Sequence, residues 1–284
     1  MNNLETIRAK FDELSACVVI PTYNNSATLA EVITDALQYS NNIIVVNDGS
    51  TDNSEAIARS FPQVQLISYS SNVGKGWALR KAFLYAIEHQ YKFAITIDSD
   101  GQHFAKDLPA FINKLEEVKD AIIIGSRNMD QVTVPGKSSF GNKFSNFWFK
   151  VETGITVPDT QSGFRAYPLE LLKGIHFFTK KYEFEIEVLV RAVWKGAKIE
   201  SIPIAVYYAP KEVRVSHFRP FKDFTRISIL NTVLVFITFL YIKPRNFLKI
   251  LFDKKKVYTS LKNNCLIQMS QTSLKRFQLP LAFL

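Results

Sequence analysis

The chain has 284 residues, enough to bury one substantial hydrophobic core with a smaller appendage. Apolar residues make up 47% of it and its formal net charge is +9, which indicates a globular protein with an anionic partner: nucleic acid, a phosphate-bearing substrate or anionic lipid. The two cysteines, Cys17 and Cys265, lack metal-site spacing and argue against a disulfide framework. Acidic residues interrupt the N-terminus, so no signal peptide is expected.

Apolar runs and helical patterns alternate through the first half of the chain. Four runs are expected to form strands: residues 16–20, of the buried, parallel type, 43–46 and 93–97, also buried, and 64–67. Each is followed by a polar turn, and Pro21 is expected to end the first strand. Later elements are predicted as a strand at 121–124, a helix at 186–194 and a strand at 202–206. Because the turns fall at one end of the strands, the pattern predicts a doubly wound α/β domain of nucleotide-binding type.

The stretch 130–157 is less regular and combines glycines with aromatic residues. One interpretation is a mobile segment on the acceptor side of a binding site. Packing helices explain the aromatic residues equally well.

Two carboxylates follow the fourth strand. Asp98 and Asp100 stand at its carboxyl end, where open α/β sheets bind their ligands. Because unpaired buried charge is costly, both are expected to face something positive. Hard oxygen ligands suit Mg²⁺ or Mn²⁺ carrying a diphosphate, and Gln102 could add a carbonyl oxygen. His103 could bind the metal or support a ligand.

The C-terminal region predicts a contact with a membrane. Residues 227–242 are mostly apolar, with polar residues near one face, and are too short to span a bilayer comfortably. Basic clusters flank both ends, which favours a helix lying in the interface on anionic headgroups. An ordinary core helix is the alternative. The predicted organisation is therefore a catalytic domain at 1–225, an interfacial helix at 226–250 and a basic, poorly ordered tail at 251–284.

Six motifs occur in one order along the chain. They are Pro21-x-Tyr23-Asn24, Asn47-Asp48-Gly49-Ser50-x-Asp52, Asn72-x-Gly74-Lys75-Gly76, Asp98-x-Asp100-Gly101-Gln102-His103, Gly125-Ser126-Arg127 and Gln161-Ser162-Gly163-Phe164-Arg165. Together they resemble the family 2 glycosyltransferases with the GT-A fold, a doubly wound mixed sheet, and within them the polyprenyl- and dolichyl-phosphate sugar synthases. The resemblance covers residues 16–225. It implies inverting transfer of a sugar from a nucleotide diphosphate donor, helped by Mg²⁺ or Mn²⁺.

The motifs also suggest roles for single residues. Donor binding is assigned to Pro21, Tyr23, Asn24, Asp48, Gly74, Lys75 and Asp98, and metal binding to Asp98, Asp100 and Gln102. For Lys75, a solvated lysine in a helix-initiating turn is the alternative to a phosphate contact. The predicted catalytic residues are Asp100, Asp159, Arg127 and Arg165. Acceptor phosphate is assigned to Arg214, Ser216, His217 and Arg219, for which a solvated basic loop is the alternative. Asp159 is the candidate general base for a hydroxyl acceptor, whereas a lipid phosphate arrives already ionised.

The sequence is compatible with more than one function. The expected partners are a nucleotide-sugar donor, a lipid phosphate or glycolipid acceptor and an anionic membrane surface at its cytoplasmic face, with no nucleic acid. Asn25 and Asn47 stand where acidic residues are common in the family, which leaves the donor base open. The Q-x-x-R-W signature is absent, so a single transfer is expected. The first alternative is a glycosyltransferase that acts on a hydroxyl acceptor of a glycolipid or surface polysaccharide. The others are a basic nucleic-acid binder, a sugar nucleotidyltransferase and a non-catalytic membrane scaffold.

Overall fold

A computed structural model describes residues 3–127, 136–207 and 219–248. The strands in this part of the chain are β1 (Ala16–Thr22), β2 (Ile43–Asp48), β3 (Gln65–Tyr69), β4 (Phe93–Thr96), β5 (Ala121–Arg127), β6 (Arg165–Pro168) and β7 (Lys198–Ile204). The helices are α1 (Asn3–Glu13), α2 (Leu29–Leu37), α3 (Ser54–Arg59), α4 (Lys75–Glu88), α5 (Leu108–Glu117), α6 (Gly136–Thr153), α7 (Leu169–Leu172), α8 (Phe184–Trp194) and α9 (Pro220–Ile237). A 3-10 turn, Ala105–Asp107, precedes α5.

These strands form one sheet in the order β3-β2-β1-β4-β6-β5-β7. The pairs β1–β2, β1–β4, β2–β3 and β5–β7 are parallel, whereas β6 runs antiparallel to both of its neighbours. The predicted doubly wound α/β sheet is confirmed. The sequence pattern missed β6, because Arg-Ala-Tyr-Pro is only four residues long and lacks an apolar run.

Pro21 lies within β1 instead of ending it. Beside β4, strand β1 is paired only from Ala16 to Val19, while its pairing with β2 continues to Thr22. Beyond Val19 the strand therefore has an open edge, where a residue without a backbone N–H is tolerated. At this open edge β1 and β4 separate, and the candidate functional site begins there.

Helices cover both faces of the sheet, so its central strands are buried on both sides. Val18 and Ile20 belong to a core cluster with α1, α2, α3 and α5. Cys17 and Val19 face the opposite cluster, formed with α4, α6, α8 and α9.

The irregular stretch proves to be largely helical. Helix α6 occupies Gly136–Thr153, so the packing-helix interpretation is confirmed there, while the mobile acceptor-side interpretation stays a prediction. Phe149 is fully buried, and the ring of Phe144 lies 5.1 Å from that of Phe224 in α9. The aromatic residues of α6 thus serve packing, although Phe140 and Phe147 remain exposed.

The C-terminal helix is longer than predicted. It continues from α9 through a π-helical turn, Thr238–Ile242, and runs over Phe221–Leu248, 28 residues or about 42 Å. By length and composition this helix could cross a membrane, a criterion that a core helix of a soluble protein also meets. The prediction of a segment too short to span is therefore wrong, because polar residues at both ends of the apolar run remain helical.

The chain divides into two compact units, Met1–Leu234 and Val235–Leu284. The second is described only for residues 235–248, so the predicted tail at 251–284 lies outside the described residues.

Candidate functional site

A cavity of about 600 Å³ opens at the carboxyl edge of β1, β2 and β4. Its lining brings together these side chains from the predicted motifs: Pro21, Tyr23, Asp48, Gly74, Lys75, Asp98, Asp100, Gln102 and Arg219. The other lining residues are Thr22, Asn25, Asn72, Ala78, Ser99, Lys181 and Tyr182. We call this space the donor cavity. Three further predicted residues, Arg214, Ser216 and His217, lie outside the described residues.

Asp48 shapes one wall of the donor cavity. Its carboxylate accepts hydrogen bonds from the backbone N–H groups of Val73, at 2.9 Å, and Gly74, at 2.8 Å, and from Asn72 Nδ2, also at 2.9 Å. Gly74 has a φ of +131°, and a Cβ there would lie 2.6 Å from the carbonyl oxygen of Lys180. The carboxylate therefore holds the loop that precedes α4, in addition to lining the cavity.

Asn24 connects the β1 and β2 loops. In a left-handed conformation with φ of +50°, its Oδ1 accepts from the backbone N–H of Thr51 at 2.8 Å, and its own N–H donates to Ser50 Oγ at 2.9 Å. Asparagine tolerates this backbone region better than most residues. Asn24 is not among the residues that line the donor cavity, so the structure gives it a positioning role.

The two asparagines that replace acidic residues differ in position. Asn25 lines the donor cavity and donates to Ser99 Oγ at 2.8 Å. Asn47 is fully buried outside the lining and donates to Glu55 Oε2, at 3.2 Å, and Ser68 Oγ, at 3.0 Å. An aspartate at 47 would oppose the Glu55 carboxylate, so this replacement is explained by local packing.

Lys75 forms the electrostatic centre of the site. Its Nζ lies 2.7 Å from Asp98 Oδ1 and 3.0 Å from Glu185 Oε1, with only 18% of the side chain exposed. Burial lowers the pKa of Lys75, but the two carboxylates outweigh it and raise the pKa above its usual value. Burial likewise raises the pKa of Asp98, and the charge of Lys75 overcomes this to lower it. Lys75 and Asp98 are therefore both charged, and the alternative of a solvated lysine is wrong.

Glu185 is a site residue that sequence reasoning missed. It stands in the first turn of α8, 110 residues from Lys75, among apolar neighbours. The sequence signal is an acidic residue at a helix start, which is common on protein surfaces.

Gly163 packs directly against this charged group. A Cβ built on it would lie 2.5 Å from Asp98 Oδ2 and 2.9 Å from Lys75 Nζ. Glycine in the Gln-Ser-Gly-Phe-Arg motif therefore leaves room for the Asp98–Lys75 pair. Gly76, at the start of α4, also leaves room for a neighbour, because a Cβ built on it would lie 2.3 Å from Phe184 Cβ. This glycine permits the close packing of α4 against α8.

Replacing Gly163 by alanine should displace Asp98 and Lys75 and lower kcat/KM by roughly ten- to a hundredfold, since misplacement by an ångström has effects of this size. Gly141→Ala in α6 is the matched control, because its Cβ would meet only Gln161 side-chain atoms at 3.4 Å or more. Steady-state kinetics of both variants check this. Wild-type kinetics in Gly163→Ala would contradict it.

His103 follows the Asp98-x-Asp100 motif in the chain. It is buried, its ring centroid is 5.5 Å from that of Phe164, and burial lowers its pKa to about 4. The imidazole is therefore neutral at physiological pH. Asp100, by contrast, lines the donor cavity and accepts a hydrogen bond from the Gln102 N–H at 3.0 Å.

Asp159 does not suit the role of general base. Its fully buried carboxylate binds Arg127 through Nε at 2.7 Å and Nη2 at 2.9 Å, and also accepts from Asn142 Nδ2 at 2.6 Å. Burial raises the pKa of Asp159, but the hydrogen bonds and charge of Arg127 outweigh it, so the pKa lies below its usual value. A carboxylate this acidic and this fully bonded is a poor proton acceptor.

Arg165 does not reach an anion site. It is fully buried, and its guanidinium donates to the carbonyl oxygens of Ser162 (2.6 Å), Thr160 (2.8 Å) and Glu185 (2.7 Å). The predicted catalytic role of Arg165 is therefore corrected to a structural one, because its donors are directed to backbone carbonyls.

Arg219 does reach the donor cavity. Its backbone N–H donates to Asp223 Oδ2 at 2.7 Å, and half of its side chain is exposed. With Lys181 it places positive charge among the residues that line the cavity.

Comparisons with known proteins agree with this arrangement. The protein-family model described as Glycosyl transferase family 2 matches residues 17–175 of this chain. Similar proteins include the dolichyl-phosphate beta-glucosyltransferase of Saccharomyces cerevisiae, 29% identical over 68% of this chain and 67% of that protein. Another is the polyprenol monophosphomannose synthase of Mycolicibacterium smegmatis, 28% identical over 70% of this chain and 79% of that protein.

A solved structure resembles the fold. Glucosyl-3-phosphoglycerate synthase from Mycobacterium tuberculosis aligns with a TM-score of 0.62 at 21% identity, over 82% of this chain and 81% of that chain. The sheet order, the cavity at its carboxyl edge and the family match lead to one conclusion. The chain is a glycosyltransferase that belongs to family 2 and has the GT-A fold.

Proposed function

We propose that this glycosyltransferase transfers one sugar per cycle, with inversion, from a UDP- or GDP-linked donor to a polyprenyl phosphate. The observation that carries the proposal is the donor cavity, where Tyr23 and the Asp98 and Asp100 carboxylates line the same space as Lys181 and Arg219. Relatives named for dolichyl-phosphate and polyprenol acceptors support the choice of acceptor. The similar solved structure is described with Mn²⁺ and uridine diphosphate, which supports a nucleotide donor and a metal.

The residues of the cavity fit a cation that arrives with the diphosphate. In the described part of the chain, no three His, Cys, Asp or Glu residues are grouped to hold a metal by themselves. Asp98 is paired with Lys75, so Asp100 and the Gln102 carbonyl would hold the ion, with phosphate oxygens and water in the remaining positions. Mg²⁺ is commonly bound in this way. When bound, the cation neutralises charge on the diphosphate leaving group.

Protein side chains would perform the remaining tasks. Tyr23 offers a flat face to the base, and Asp48 keeps the wall beside it in shape. Lys181 and Arg219 would hold the acceptor phosphate in line with the sugar carbon, a positional effect. A phosphate acceptor is already ionised and needs no proton acceptor. The bonding of Asp159 therefore favours this acceptor over the hydroxyl of a glycolipid.

We place the reaction at the cytoplasmic face of a membrane. The apolar helix Phe221–Leu248 and the lipid-phosphate acceptors named for relatives support membrane association. The net charge of +9 suits the anionic cytoplasmic leaflet.

A thermal-shift panel tests the donor assignment. UDP, GDP, CDP and the glucose and mannose conjugates of the first two are each added with and without Mn²⁺. One nucleotide should raise Tm in a metal-dependent way, because a ligand that binds only the native state stabilises it. The sugar conjugate selected in this way is then incubated with a polyprenyl phosphate or a glycolipid. The absence of any shift would contradict the nucleotide site, and transfer only to a hydroxyl would contradict the acceptor.

A further inference from the structure

A second basic surface lies beside the donor cavity, around the indole ring of Trp77. Three cations approach this ring: Lys81 Nζ at 5.0 Å, the Arg80 guanidinium at 5.2 Å and Lys180 Nζ at 5.5 Å from the ring centroid. Neither these three residues nor Lys181 forms a salt bridge within the part of the chain that the structure describes. The surface therefore carries concentrated positive charge.

Hydrogen bonds hold the loop that bears Lys180 in place, and this loop exposes an apolar side chain. Glu187, fully buried, accepts from the backbone N–H groups of Phe178 at 3.0 Å and Thr179 at 2.9 Å, and Trp77 N–H donates to the Lys180 carbonyl at 2.8 Å. Phe178 is 73% exposed. An ordered loop that exposes a phenylalanine next to lysines has the composition of an interfacial membrane contact.

We propose that the basic aromatic patch, defined as Trp77, Arg80, Lys81, Phe178, Lys180 and Lys181, docks the globular domain onto anionic lipid headgroups. The lysines and arginine meet the phosphates, and Phe178 inserts among the headgroups. This contact is additional to the apolar C-terminal helix and does not depend on the identity of donor or acceptor.

The position of the patch agrees with this role. Trp77 lies in the first turn of α4, which follows the carboxyl end of β3, and the loop precedes α8. Lys181 belongs both to the patch and to the lining of the donor cavity. Docking through the patch would therefore bring the cavity close to substrates held in a bilayer.

The aromatic rings favour lipid over nucleic acid as the occupant. Single-stranded nucleic acid binds by stacking bases on open aromatic faces. Here the Trp77 ring is approached by three cations, and the Arg191 guanidinium lies 4.7 Å from the Phe178 ring centroid. Charge and exposed apolar area are what a lipid surface requires.

The test compares two charge-reversed variants of the full chain in co-sedimentation with vesicles of phosphatidylcholine, with and without phosphatidylglycerol. Lys81→Glu/Lys180→Glu alters the patch without touching the donor cavity. Lys92→Glu/Lys119→Glu is the matched control. These exposed lysines precede β4 and β5, at the amino ends of the strands and opposite the carboxyl ends where the donor cavity opens. The patch variant should bind anionic vesicles about tenfold more weakly than wild type at low salt. The control should bind as wild type does.

Equal loss in both variants, or loss in neither, would overturn the proposal. Phe178→Ala should also weaken binding to anionic vesicles, and unchanged binding would count against insertion. An oligonucleotide is offered in parallel. If the patch variant loses oligonucleotide binding but keeps vesicle binding, the surface is a nucleic-acid site and the proposal fails. Circular dichroism and Tm of each variant verify that folding is retained.

Discussion

Asp100→Ala should abolish metal-dependent donor binding and lower kcat/KM by more than about a hundredfold, a loss larger than that for residues that only orient ligands. Asp98 is engaged by Lys75 at 2.7 Å, so Asp100 is the carboxylate of the Asp98-x-Asp100 motif that we expect to attract a cation in the donor cavity. Asp100→Asn should show nearly the same loss, because the amide keeps one oxygen but not the charge.

Calorimetry measures this directly, with nucleotide titrated in the presence of Mn²⁺ and again with a chelator. Asp35→Asn, in α2 and outside the lining of the donor cavity, is the matched control and should bind as wild type. Metal-dependent binding that survives in Asp100→Ala would contradict the assignment. It would mean that Asp98 leaves Lys75 to hold the ion.

The central strands β1, β2 and β4 were predictable because they are largely apolar runs buried on both faces, whereas β3 is only partly buried. Residues 43–46 are Ile-Ile-Val-Val, and the structure places them in β2 with every side chain buried. Strand β6 could not be found in this way. It gains its place by pairing with β4 and β5, contacts that no local pattern records.

The site was predictable for residues that point to one edge of the sheet and not for those that act through distant partners. Asp98 and Asp100 follow a strand, so their place at its carboxyl end could be inferred from the sequence. The role of Lys75 depends on Glu185, 110 residues away. An ion pair of this kind is decided by how α4 packs on α8, which sequence spacing does not contain.

Arg165 illustrates the opposite error. Arg165 closes the Gln161-Ser162-Gly163-Phe164-Arg165 motif and is predicted from it to be a catalytic residue. Its position in β6 turns the side chain inward, where three carbonyl oxygens satisfy the guanidinium. A motif thus identifies a family more reliably than it identifies which atoms meet the ligand.

Asp159→Asn should lower the free energy of unfolding by about 3 kcal/mol at neutral pH, because it removes the negative charge from a buried ion pair. Asp159 is fully buried and Arg127 is 15% exposed, so solvent screens the pair weakly. The asparagine also brings an NH₂ group toward Asn142 Nδ2, which now donates to the carboxylate at 2.6 Å. Urea unfolding of both proteins measures the difference.

The sign of the pH dependence provides the decisive check. The folded pKa of Asp159 is below its unfolded value, so the stability that the carboxylate contributes is complete above the unfolded pKa, about 3.9, and is lost as pH falls through the folded pKa. The difference between wild type and Asp159→Asn should therefore be largest near neutral pH and shrink in strong acid. A variant that is as stable as wild type at pH 7 and yet inactive would reverse the conclusion, because a structural anchor cannot be removed without cost. Asp159 would then act on the substrate, and the acceptor would be a hydroxyl that needs a base.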